Sequence, residues 1–126
     1  MARMYSEQVL EHFRNPRNAG KLENATAVVT ATNPVCGDVL ELAVRMEEGK
    51  IAEAKFLCRG CTTAIASGSW VAETLVGKTR AEAREITAGK ISEALGGVPE
   101  ATFHGAQLAA EAVEMMVKKA VTDASP

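Results

Sequence analysis

Three segments with the composition of β-strands lie together between Ala25 and Cys58, and only helix-like segments follow them. That segregation constrains the chain more than any other feature. Ala25–Thr32 (ATAVVTAT) is rich in β-branched residues, which suit a pleated surface. Val39–Met46 (VLELAVRM) alternates, with Leu40, Leu42, Val44 and Met46 on one face and Glu41 and Arg45 on the other. Lys50–Cys58 (KIAEAKFLC) follows the hairpin signal EEGK and holds Ala52, Ala54 and Phe56 in phase. The pattern predicts an antiparallel meander with one covered face.

Helices flank these strands. Tyr5–Arg14 predicts a short helix with Val9, Phe13 and Leu10 on its apolar side, ended by Pro16. After Cys61, Thr62–Gly77 has helical spacing, with Ile65, Trp70, Val71 and Leu75 as core candidates and Gly77 as the stop. Thr79–Glu82 (TRAE) is a capping box opening a second helix through Ile86. Lys90–Leu95 is a helical turn, and Gly96–Glu100 (GGVPE) breaks it. A last helix is predicted from Ala106 to Val121, lined by Leu108, Ala112, Val113, Met116 and Ala120, with a frayed tail over Thr122–Pro126. Strands and helices so separated give an α+β fold, a three-stranded antiparallel sheet with helices packed on one face. With 126 residues and no repeat or linker, the chain reads as a single domain over 1–126.

The formal net charge of -2 implies no general attraction to nucleic acid. No run of eighteen apolar residues is present, so no membrane partner is expected. Glu7 and Glu11 argue against a targeting peptide at the start, and a reducing cytoplasmic location is the expectation. There, three cysteines suggest metal or thiol chemistry more than disulfides.

The candidate chemical residues sit at the ends of elements. Cys36 lies in the turn between the first two strands, inside NPVCGDVL, with Asp38 two residues on. Cys61 lies where the third strand gives way to a helix, and His104 is placed just before the last helix. A helix N-terminus favours thiolate, so the Cys61 pKa is expected to fall. Thiolates select zinc, copper(I) and iron–sulfur clusters. Each residue also has a plainer reading. Cys58 falls in phase with Ala54 and Phe56, so an unbroken strand points it at the covered face as a small hydrophobe, unless a bulge at Gly60 re-aims it. Asp38 suits a turn, and His104 suits a surface loop. His12 has no partner in view.

The chain resembles the IscU-type iron–sulfur cluster assembly scaffolds, also found as the N-terminal domain of NifU. The likeness rests on YSEQVLEHFRNPRNAG, NPVCGDVLEL and GCTTAIASGSWVAE, and partly on FHGAQLAAEAV. It implies an α+β fold and a protein that is not an enzyme. Such a scaffold assembles a [2Fe–2S] cluster with sulfur from a cysteine desulfurase and hands it to apo iron–sulfur proteins. By motif, Cys36, Asp38, Cys61 and His104 match the family's ligands. The family's third cysteine follows the histidine; here that place is Gly105. The family's Leu-Pro-Pro-Val-Lys segment, which binds an Hsp70-type chaperone, is degraded to VPEAT at Val98–Thr102, so that partner is not implied.

Cys58 is expected to supply the missing thiolate, giving Cys36, Cys58 and Cys61 with Asp38 or His104 as the fourth ligand. The alternatives are a Zn²⁺ site on Cys36, Cys61 and two of Asp38, Cys58 and His104, serving as a desulfurase's sulfur acceptor, and a thiol–disulfide oxidoreductase using Cys58 and Cys61. An exposed cluster edge leaves room for a homo-oligomer.

Overall fold

The computed structural model describes residues 5–124, with side chains through Lys119. The elements run α1 (Glu7–Arg14), β1 (Ala27–Asn33), β2 (Asp38–Glu47), β3 (Lys50–Arg59), α2 (Thr62–Leu75), α3 (Arg80–Ala83), α4 (Ala88–Ala94), a 3₁₀ turn (Glu100–Thr102) and α5 (Phe103–Ala124). The expected α+β fold is observed: an antiparallel sheet in the order β1-β2-β3, with α2 and α5 packed on it.

Alternation builds the sheet. Ala27, Val29 and Ala31 of β1 face the core, as do Leu40, Leu42 and Val44 of β2. Glu48 and Gly49 both take positive φ, 53° and 80°, the primed hairpin turn that matches strand twist. β3 departs from the expected phase. A bulge at Arg45/Met46 pairs Met46 with Ile51 and Val44 with Ala54, leaving Ala52 unpaired. Ile51 and Ala54 are therefore buried, while Ala52 is only half-buried.

Helix α2 is the hub. It packs against β3, α1 and α5, so most of its circumference is covered. Its buried set is Thr63, Ala64, Ala66, Ser67, Gly68, Ser69, Val71, Ala72 and Leu75. Ile65 and Trp70, expected in the core, are half-buried. Small residues win because the approach is close: a Cβ on Gly68 would stand 2.7 Å from the Phe56 ring. In α1 only Val9 is fully buried, and Phe13 is 39% exposed, contrary to the expected stripe. Ser69 Oγ accepts from the Arg17 N–H at 2.8 Å and lies 2.7 Å from His12 Nδ1. His12 thus ties α1 to α2.

The capping box is present: Glu82 N–H donates to Thr79 Oγ1 and Thr79 N–H to Glu82 Oε1. The helix it opens stops at Ala83, and Ile86 closes one further turn onto the Ala83 carbonyl. Helix α5 begins at Phe103, three residues before the expected start, because the 3₁₀ turn after Pro99 feeds straight into it. Its buried face is Ala106, Leu108, Ala109, Ala112, Val113, Met116 and Val117. It is helical to Ala124, past the start of the expected frayed tail, while Ser125, Pro126 and the Ala120 side chain lie outside the described residues.

Candidate metal centre

The turn between β1 and β2 carries the first donors. Asn33 Oδ1 accepts from the Val35 N–H at 3.0 Å, and the Asn33 carbonyl accepts from Gly37 at 2.7 Å. Gly37 takes φ 76°, which a side chain would oppose. This tight turn leaves Cys36 exposed and starts β2 at Asp38, paired with Asn33. Asp38 turns inward and is 7% exposed.

His104 reaches the same place from the first turn of α5. A Cys36 Sγ, an Asp38 oxygen and a His104 nitrogen all lie within 4.8 Å of one another. His104 Nε2 stands 3.8 Å from Asp38 Oδ2. Asp38 Oδ2 and Ser67 Oγ are the buried side-chain polar atoms without a hydrogen-bond partner among the described residues. An unpartnered buried acceptor costs about 1–3 kcal/mol, and more when charged. Such an oxygen, beside a thiol and an imidazole, is what a cation site needs before it is filled.

Cys61 caps the N-terminus of α2. Its thiol pKa is pushed up by burial, drawn down by the Ala64 N–H at the helix start, and raised again by Asp38. The helix end therefore acts in the expected direction, but burial outweighs it and the net shift is upward. Cys58 lies opposite Leu40 in the regular β2–β3 ladder, so no bulge re-aims it. It is half-buried against the core. Burial, with Asp38 and Cys61 adding negative charge nearby, pushes its thiol up to about 12. Both cysteines border Asp38 electrostatically, yet neither joins the three-donor group. All three cysteines are free.

Gly105 was legible in the sequence only as a missing side chain. In the fold, a Cβ there would stand 2.7 Å from the Ala64 backbone nitrogen and 3.1 Å from the Thr63 carbonyl carbon. Its bareness seats the start of α5 against the start of α2. That seat brings the first turn of α5, which carries His104, against the first turn of α2, which Cys61 precedes.

The NifU-like N terminal domain model matches residues 4–123, nearly the whole chain. This protein belongs to the NifU-like N-terminal domain family. It is similar to the iron-sulfur cluster assembly scaffold protein IscU 1 of Archaeoglobus fulgidus, at 44% identity over 114 residues that cover 90% of this chain and 74% of that one. It is similar also to IscU of Azotobacter vinelandii, at 40% identity over 120 residues, 90% of this chain and 91% of the relative. Both relatives are named as scaffold proteins. The fold of this family member matches the crystal structure of a NifU-like protein (N-terminal) from Brucella abortus with a TM-score of 0.64 and 23% identity, over 94% of this chain and 84% of the other. Among the described residues no helix is long and apolar enough to cross a membrane.

Proposed function

We propose that this NifU-like domain is a scaffold on which a [2Fe–2S] cluster is assembled, held and passed to apo iron–sulfur proteins, with no turnover of its own. The observation that carries the reading is the buried, unpartnered Asp38 oxygen beside Cys36 and His104. The named function of its scaffold relatives supports it.

The cluster is cargo, and its two irons call for four protein donors. Cys36, Cys61, Asp38 and His104 are the proposed set. Cys58 is the reserve donor, because it lies half-buried against the core in the regular β2–β3 ladder. Carboxylate is a harder and more exchangeable ligand to iron than thiolate, which suits a site that must release what it holds. With Gly105 at the place of the family's third cysteine, Cys36 and Cys61 are the thiols proposed to receive sulfur, from a cysteine desulfurase as partner. A reducing compartment such as the cytoplasm would keep these thiols free.

Anaerobic reconstitution with ferrous iron and sulfide tests the proposal. Wild type is expected to gain visible absorbance with equal iron and sulfide. Cys36→Ser and Cys61→Ser are expected to lose it, and Cys58→Ser to keep most of it. A colourless wild type refutes the scaffold reading. A Cys58→Ser variant as poor as Cys61→Ser would move Cys58 into the ligand set.

One observation favours zinc as a second occupant: three donors within 4.8 Å suit a single tetrahedral ion completed by Cys61. A zinc form acting as a desulfurase's sulfur acceptor would be colourless and carry no sulfide. A thiol–disulfide oxidoreductase is disfavoured, since it needs a depressed thiol pKa and both Cys58 and Cys61 are raised.

A further inference from the structure

Gly60 precedes Cys61 at the end of β3, and nothing in its backbone explains a glycine there. It is absent from the residues with positive φ. What it lacks is space. A Cβ on Gly60 would stand 2.9 Å from Asp38 Cγ, 3.1 Å from Oδ2 and 3.2 Å from Cβ. All three atoms belong to one side chain, so the Asp38 carboxyl lies directly across the bare Gly60 Cα. The same Oδ2 is buried, has no hydrogen-bond partner and faces His104 Nε2 at 3.8 Å.

From this we infer that Gly60 is a positioning residue: its missing side chain is the slot that holds the Asp38 carboxylate, with one oxygen free, between Cys36 and His104. The inference rests on the proposed metal-binding role of Asp38. Strand pairing with Asn33 holds the Asp38 backbone in place, and the missing Cβ of Gly60 leaves the room that the carboxyl occupies. Any side chain at 60 must push the carboxyl out of its slot. Because the obstacle is the Asp38 side chain and not backbone, the effect of a substitution should travel through Asp38 alone.

A double-mutant cycle decides the matter. Zn²⁺ affinity is measured by competition with a chromophoric chelator on wild type, Gly60→Ala, Asp38→Ala and the double variant. Gly60→Ala should weaken Zn²⁺ binding by roughly 10- to 100-fold, the usual loss when a ligand's support is removed. In the Asp38→Ala background, where Cγ and Oδ2 are gone and only the Cβ contact at 3.2 Å remains, the same change should cost much less. Unfolding midpoints of the four proteins provide a second reading. If Gly60→Ala is unstable, removing the Asp38 carboxyl should restore part of the loss. Undiminished Zn²⁺ affinity in Gly60→Ala, or an equal loss of affinity in both backgrounds, would overturn the inference. A wild type that binds no Zn²⁺ or iron would instead overturn the metal-binding proposal. The slot would then be decided in metal-free protein by the ¹³C carboxyl resonance of Asp38, which must move in Gly60→Ala if the carboxyl lies across Gly60.

Discussion

Alanine is a better helix former than glycine, yet Gly105→Ala is expected to destabilise this protein while Gly89→Ala stabilises it. Both glycines lie in first turns of helices, Gly105 in α5 and Gly89 in α4. The intrinsic gain on leaving glycine is at most about 0.8–1.0 kcal/mol. At Gly89 nothing offsets it: the nearest atom to an added Cβ is Thr87 Oγ1 at 3.8 Å, an ordinary contact. At Gly105 the Cβ would meet the Ala64 backbone nitrogen at 2.7 Å. Backbone at a helix start cannot rotate away, so α5 must shift against α2, and overpacking of this kind costs about 1–3 kcal/mol. The expected net effects are a loss of up to about 2 kcal/mol at Gly105 and a gain of up to about 1 kcal/mol at Gly89. Thermal unfolding followed by circular dichroism, at equal protein concentration, should separate the two variants by several degrees, since about 1 kcal/mol moves the midpoint of a chain this size by roughly 3–5 °C. Gly105→Ala melting at or above wild type would refute the close-packing argument. The same Cβ is present in Gly105→Cys, so a cysteine at this place carries the same cost.

Three further outcomes follow from the described residues. Thiol alkylation at pH 8 should modify exposed Cys36 first and Cys58 last, because a thiol near 12 is ionised in roughly one molecule in 10,000 at that pH; equal rates by peptide mass spectrometry would contradict the burial of Cys58. His12 has a pKa lowered by burial and by Arg17, so below its ordinary value of 6.5 the unfolded chain binds more protons. Stability should therefore be full above about pH 6.5 and decline as pH falls below it; a His12→Gln variant with the same acid slope in urea unfolding would exclude this source. Leu42 is fully buried at the centre of the sheet, and Leu42→Ala should cost about 2–5 kcal/mol in denaturant titration; a loss below 1 kcal/mol would mean that the core there closes up freely.

Local pattern carried much of the architecture. The alternation of Leu40, Leu42 and Val44 and the turn residues Glu48 and Gly49 prescribe a hairpin whatever surrounds them. The capping box at Thr79 was equally plain, because it is made entirely of neighbours in sequence. Failures came where several elements meet. Ile65 and Trp70 had the expected helical spacing, but α2 is covered on most sides, and close approach selects Ala66, Gly68 and Ala72 instead. The bulge that turns Ala52 out depends on how β3 pairs with β2, which no single strand reveals. The first turn of α5 was hidden because Gly105 is a poor helix former whose reason for being there is contact with Ala64.

The site divides in the same way. From the amino-acid order alone came the donor types, the Cys36–Gly37–Asp38 turn, the family likeness and the absence of a cysteine at 105. Those features are local or compositional, and folding cannot alter them. Tertiary structure decided which donors meet. It brought Cys36, Asp38 and His104 within 4.8 Å across 69 positions of chain, and it set Cys58 half-buried beside them with its proton retained. It also placed the bare Cα of Gly60 against the Asp38 carboxyl. Burial and close approach are properties of packed surfaces, so they set the thiol pKa values and the room for the carboxylate, and neither quantity exists until β3, α2 and α5 are in contact.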